Sequence, residues 1–163
     1  MSLLPDLRGF ARFLTRDPAS SDDLVQETLV RALAALEQFQ ADTNLKAWLF
    51  TIQRNVFYEQ RRRHLREQVV MNDYAVQAQR RAESRPASVR DDVRDLENVF
   101  WLLPPLLREA LILVGAQEMT HEEAAGICGV PVGTMKARVS RARAQLTKLV
   151  AKARGDMPAP DTE

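Results

Sequence analysis

At 163 residues, with 45% apolar and 28% charged side chains, the chain has the composition of one folded domain or two small ones. Aromatics make up only 6%, and Leu, Ala and Arg dominate, which favours an all-α fold over a sandwich or barrel. Lys and Arg number 23 against 22 Asp and Glu, so net charge points to no partner, and the single cysteine, Cys128, excludes an intramolecular disulfide framework.

No apolar run approaches the roughly 18 residues of a membrane span. The N-terminus MSLLPDLRGF carries acid and proline where a secretory leader needs an apolar centre. A reducing, cytoplasmic location is the expectation. In chain order, Leu7, Phe10, Ala11 and Leu14 recur at helical spacing behind Pro5, and Asp17-Pro18-Ala19 is expected to break that helix. Ser20 or Ser21 can cap a second helix, with Ser20 and Asp23 at capping-box spacing. Its expected apolar face is Val25, Leu29, Ala32, Leu33 and Leu36, running through Phe39. After the polar break Gln40 to Asn44, a third helix carries Leu45, Trp48, Leu49, Ile52 and Val56 into Arg61, Arg62, Arg63 and Arg66.

Residues 67–97 lose clean periodicity and read as a linker that is helical in places. Leu96, Val99, Phe100 and Leu103 then predict a helix stopped by Pro104-Pro105, followed by a stripe of Leu107, Ala110, Leu111 and Val114. The division expected is a first domain at 1–66, the linker, a second domain at 98–154 and a disordered tail at 155–163.

Charge separates sharply inside the second domain. Residues 98–133 hold one base, Arg108, and four acids, whereas 134–154 hold seven bases and no acid. The same stretch reads as a helix-turn-helix. Thr120-x-x-Glu123 is a capping box, Ala124 and Ala125 permit close helix crossing, Gly129 suits a left-handed C-cap, and Pro131 precedes a basic helix. Thr134, Ala137, Arg138 and Arg141 fall on one face of that helix, where a major groove can be read. An ordinary helical hairpin with a basic surface is the alternative.

Catalytic chemistry is missing from the pattern. His64, His121 and Cys128 form no metal-ligand spacing, and no phosphate-binding loop or nucleophile elbow is written. The acidic pairs Asp22-Asp23, Asp91-Asp92 and Glu122-Glu123 sit near expected helix N-termini, where they complement the helix dipole. Neither a cofactor nor a small-molecule substrate is implied.

The ordered segments DDLVQETLVRAL, LKAWLFTIQRN with its trailing RRR, and LPPLLREALIL…MTHEEAAGICGVPVGTMKARVSRAR resemble bacterial RNA polymerase sigma factors of the extracytoplasmic-function (ECF) group. The phrase TNLKAWLFTIQRN is similar to the group's general-stress-response members. The resemblance covers roughly residues 5–150. It implies that the first domain docks on core RNA polymerase, through Asp23, Gln26, Glu27 and Arg31. It implies that the −10 promoter element is opened and held by Asp42, Thr43, Asn44 and Trp48, with Asn55, Arg61, Arg62 and Arg63 on nearby DNA. Trp48 also lies on the Leu45–Ile52 stripe, where it would be core. For the −35 element the resemblance implies Thr134, Lys136, Ala137, Arg138, Ser140, Arg141 and Arg143. Relatives commonly carry aspartate where this chain has Glu59. An anti-sigma factor is the further partner implied. A sigma-like decoy that captures an anti-sigma factor without initiating transcription is the competing expectation.

Overall fold

The computed structural model describes residues 3–70 and 97–155, and every regular element in them is helical. Helix α1 spans Leu4–Thr15, α2 Pro18–Ala34, α3 Leu45–Val70, α4 Pro105–Leu111, α5 His121–Cys128 and α6 Val132–Ala153. A 3-10 turn, Leu36–Gln38, follows α2, and a short helical segment at 97–101 precedes α4. Leu96, most of the expected linker and the end of the tail lie outside the described residues.

Helix α1 buries Leu7, Phe10 and Ala11, as its periodicity predicts. It ends at Arg16, whose left-handed φ of 60° lets its N–H close on the Arg12 carbonyl at 2.8 Å. The start of α2 differs from the expectation. Asp17 is the cap, accepting from the Ser20 amide at 3.0 Å, and Pro18 occupies the first turn instead of breaking the helix. Proline lacks only a donor that is unpaired there anyway, so Asp-Pro starts this helix.

The buried side of α2 also differs. It is Ser21, Leu24, Val25, Thr28 and Ala32, whereas Leu33 is 72% and Leu36 55% exposed. In α3, Leu49 and Val56 are buried as expected and are joined by Phe50 and Gln53, while Leu45 faces water. Phe50 stacks on Phe10 with centroids 4.7 Å apart, and the Gln53 amide donates to the Leu7 carbonyl at 2.9 Å. Together these contacts lock α3 across α1. Helix α3 continues through Val70.

The chain after Pro104 contains a π turn, Ile112–Ala116, in which the Gln117 amide reaches the Ile112 carbonyl. The wider turn accommodates one additional residue and rotates the face. Ile112 and Leu113 are therefore buried, and Leu111 and Val114 of the expected stripe are only partly covered. The capping box at Thr120 and Glu123 is complete, with both bonds at 3.1 Å, and Gly129 caps α5 at φ 68°. One hydrophobic cluster runs from Leu7 of α1 to Val139 of α6, so the two halves share a core.

Candidate nucleic-acid interface

Helix α6 is held by Met135, Val139 and Ala142, all buried, at spacings of four and three. That anchoring fixes which residues face outward. Thr134, Lys136, Ser140, Arg141 and Arg143 are exposed, and Ala137 and Arg138 are half-buried at the margin. None of the α6 bases is ion-paired among the described residues, although acids occur elsewhere on the same domain. A row of uncompensated cations on a helix anchored by its buried face is suited to polyanions. Ala137 and Ser140 are short enough to admit a base edge closely.

The second group of expected nucleic-acid residues is strung along α3. Asn44 caps the helix, its Oδ1 accepting from the Lys46 amide at 3.0 Å and the Ala47 amide at 3.4 Å. Thr43 folds the preceding loop, its hydroxyl donating to the Gln40 carbonyl at 2.7 Å. Asp42 stands exposed beside it. Trp48, Asn55 and Arg62 recur every seven residues and thus share one helix face, with about 10 Å of axial rise between successive members. Trp48 is half-buried and tilted on Phe39 at 5.2 Å, combining the core and surface readings. Arg61 instead lines a small cleft with Arg108 and Glu109, and Arg63 reaches Glu59 at 3.6 Å. The arginine triplet therefore points three ways.

The surface of α2 holds the third group. Asp23, Gln26, Val30 and Leu33 form one exposed face. Val30 and Leu33 escaped the sequence reading because their apolar character placed Leu33 in the core. Glu27 and Arg31 sit to the side of this face. Arg31 donates to Glu27 at 3.0 Å and, with two nitrogens, to Glu59 on α3 at 2.7 and 3.3 Å. Those hydrogen bonds hold the Glu59 carboxyl below its ordinary value and the Arg31 guanidinium above its own. Glu59 is thus the α3 end of a clasp that orients Arg31.

A polar node joins the two halves. Glu109 of α4 is 5% exposed and accepts from Arg54 and from the Tyr58 hydroxyl at 3.1 Å, both on α3, and from the Cys128 thiol of α5 at 2.9 Å. Burial, reinforced by Glu109, pushes the Cys128 thiol up to about 12, so it is a protonated donor. Burial likewise raises Tyr58. Burial disfavours charge on Arg54, but the Glu109 carboxylate outweighs it and leaves the guanidinium above its usual value. No cluster of metal-ligating side chains occurs among the described residues.

Comparison with known proteins matches residues 1–67 to the family described as Sigma-70 region 2, and residues 96–146 to Sigma-70, region 4. The chain is 44% identical to a Rhodopseudomonas palustris protein named ECF RNA polymerase sigma factor EcfG, over 92% of this chain and 82% of that one. It is 34% identical to the Mycobacterium tuberculosis ECF RNA polymerase sigma factor SigC, over 85% and 74% of the two chains. The co-crystal structure of the sigma factor RpoE with the anti-sigma factor NepR from Bartonella quintana matches with a TM-score of 0.72 and 40% identity, covering 91% of both chains. The complex of CnrH with the cytosolic domain of CnrY matches at 0.64 and 27%, covering 92% of this chain and 83% of the other.

Proposed function

Because the chain belongs to the ECF group of RNA polymerase sigma factors, we propose that it is a cytoplasmic promoter-specificity subunit that binds core polymerase, recognises −35 and −10 elements and assists promoter melting. The observation that carries this reading is α6. Its outward bases have no acidic partner among the described residues, and its inward residues fix their orientation. Lys136, Arg138, Arg141 and Arg143 serve the −35 element and its phosphates, with Thr134, Ala137 and Ser140 at the base edges. The loop Asp42–Asn44 with Trp48 serves the −10 element, backed by Asn55 and Arg61, Arg62 and Arg63. The α2 face serves the polymerase, with Asp23, Gln26 and Glu27 supplying charge and polarity, Val30 and Leu33 apolar contact, and the clasped Arg31 the edge.

The chain performs no covalent step in this reading, because RNA synthesis belongs to the polymerase. An anti-sigma factor is the proposed inhibitor of the free subunit, supported by the similarity to the sigma factor RpoE in its complex with the anti-sigma factor NepR. The decoy reading needs the fold but no uncompensated bases on α6. In vitro transcription tests the choice. Sigma-free core polymerase, this protein and fragmented genomic DNA should yield discrete starts sharing two upstream elements. Verified core binding without specific starts would transfer the conclusion to the decoy.

A further inference from the structure

We propose that Arg8, Arg12 and Arg16, a row of arginines along the outer face of α1, form a further nucleic-acid contact that grips the phosphates of promoter DNA beside the −10 element. The inference rests on the function proposed above for the identity of the polyanion.

Helix α1 buries Leu7, Phe10 and Ala11, which leaves Arg8, Arg12 and Arg16 exposed. At spacings of four, successive positions drift around the axis by only about 40° and climb about 6 Å. The three therefore stand in one line about 12 Å long. None of them is ion-paired among the described residues, whereas the one acid of α1, Asp6, is turned to Lys46 of α3 at 3.6 Å. Asp17, Asp22 and Glu97 line the clefts beside the row without reaching ion-pair distance of it. Asp17 is already committed to the amide and hydroxyl of Ser20, at 3.0 and 2.6 Å.

Folding does not account for the row. Like charges at i, i+4 weaken a helix. The helix dipole favours Arg12 in the last turn, but Arg8 lies too far from that end to gain from it. Arg16 holds a left-handed φ of 60°, which glycine adopts at lower cost. Its guanidinium lies over the Trp101 ring at 4.6 Å, and a stacked guanidinium keeps its in-plane N–H groups for an anion. Arginine, with five donors in a fixed fork, suits phosphate oxygens in particular.

Position decides which polyanion this is. Helices α1 and α3 run side by side in the same direction. Asp6 meets Lys46, Phe10 stacks on Phe50 at 4.7 Å, and Leu14 shares a small cleft with Phe57 and Arg61. Leu14 and Thr15 line a second groove with Arg61 and Arg63. Arg16 and Arg61 also act on one group, Arg108, whose guanidinium sits below its usual value through burial first and then through their charge. The Arg16 end of the row thus adjoins the arginines proposed for DNA near the −10 element, and the row prolongs that basic surface along α1. A cationic row of this kind touches the backbone alone and adds affinity equally for every sequence.

The test is the salt dependence of DNA binding by the full-length free chain, read by fluorescence anisotropy on a fluorescein-labelled duplex of random sequence. Each phosphate contact contributes about 0.9 to the slope of log affinity against log salt. Replacing Arg8 and Arg12 together by Ala should lower that slope by about 1.8, with helix content by circular dichroism unchanged. Arg8→Lys with Arg12→Lys keeps the charge and should keep the slope. An unchanged slope in the double alanine variant, or no binding by the unaltered chain at low salt, would overturn the inference. So would an unchanged slope accompanied by weaker capture of core polymerase, which would assign the row to a protein surface. Should the double variant lose helix content, Arg8→Ala decides alone, with an expected drop of about 0.9.

The same proteins separate this inference from the function it rests on. A lowered slope together with no promoter-directed transcription would keep the α1 contact and remove the sigma role. Discrete promoter starts with the slope unmoved would do the reverse.

Discussion

Glu59 illustrates how far one methylene carries at the residue scale. As a glutamate it spans from α3 to Arg31 with two bonds, and its lowered carboxyl makes that contact sensitive to acid. Glu123 behaves alike, held down first by the Thr120 amide of its capping box and further by Asn44. For both carboxyls the folded value lies below 4.5, so their stabilisation is present above 4.5 and is lost as pH falls through the folded value. Cys128 works in the opposite direction. Its thiol is raised from 9.0 to about 12, so its contribution is intact below 9 and is lost as pH climbs toward 12. Thermal melting followed by circular dichroism across pH should show midpoints falling at both ends, with the alkaline loss reduced in Cys128→Ala and the remainder carried by the buried Tyr58 hydroxyl. Gly129 is the other residue with a fixed demand, because its φ of 68° is a left-handed conformation that side chains rarely adopt. Gly129→Ala should cost about 1–2 kcal/mol in denaturant unfolding. An unchanged unfolding midpoint would mean that the α5–α6 turn relaxes to another geometry.

Elements were legible in the sequence to the extent that their signals were local. The capping box, the glycine C-cap and the proline before α6 each act within a few residues, and each stands where the sequence puts it. The α2 start departs from the expected break because Asp17 makes an N-cap and the proline after it begins the helix. Leu33 departs from its expected place in the core because apolar character suggests burial, whereas the helix turns that residue outward. The π turn is written in no residue type, so its register shift was hidden. The residues of the candidate interfaces could be named from their patterns and from family resemblance, but their pairing could not. Arg31 and Glu59 are 28 positions apart, and Arg54 and Glu109 are 55 apart.

Helix faces also carry separable tests. Replacing Arg138 and Arg141 together by Ala removes two base or phosphate contacts, each worth roughly 1–3 kcal/mol when it reads a base. Promoter-directed transcription should fall at least tenfold while co-purification with core polymerase persists. Leu33→Asp should do the converse. Being exposed, Leu33 contributes little to folding, so the melting midpoint should hold while core affinity, measured by fluorescence anisotropy, drops on the order of tenfold. If core affinity were retained, the α2 face would be facing something other than polymerase.

For the whole molecule, the shared core and the polar node at Glu109 together join the two halves. Phe10 on Phe50 and the Gln53–Leu7 bond make the α1–α3 unit rigid in its own right, while α4–α6 are closed by Met135, Val139 and Ala142. The Arg54–Glu109 contact joins them beside the hydrophobic cluster that they share. The outer surface makes a separate demand. Val30, Leu33 and Leu36 leave 60%, 72% and 55% of their areas to water. A neighbouring apolar patch on a second copy is then as good a cover as any intended one. Copies made in excess of their binding partners therefore keep that apolar face open to water, and their solubility should fall before that of the partnered chain.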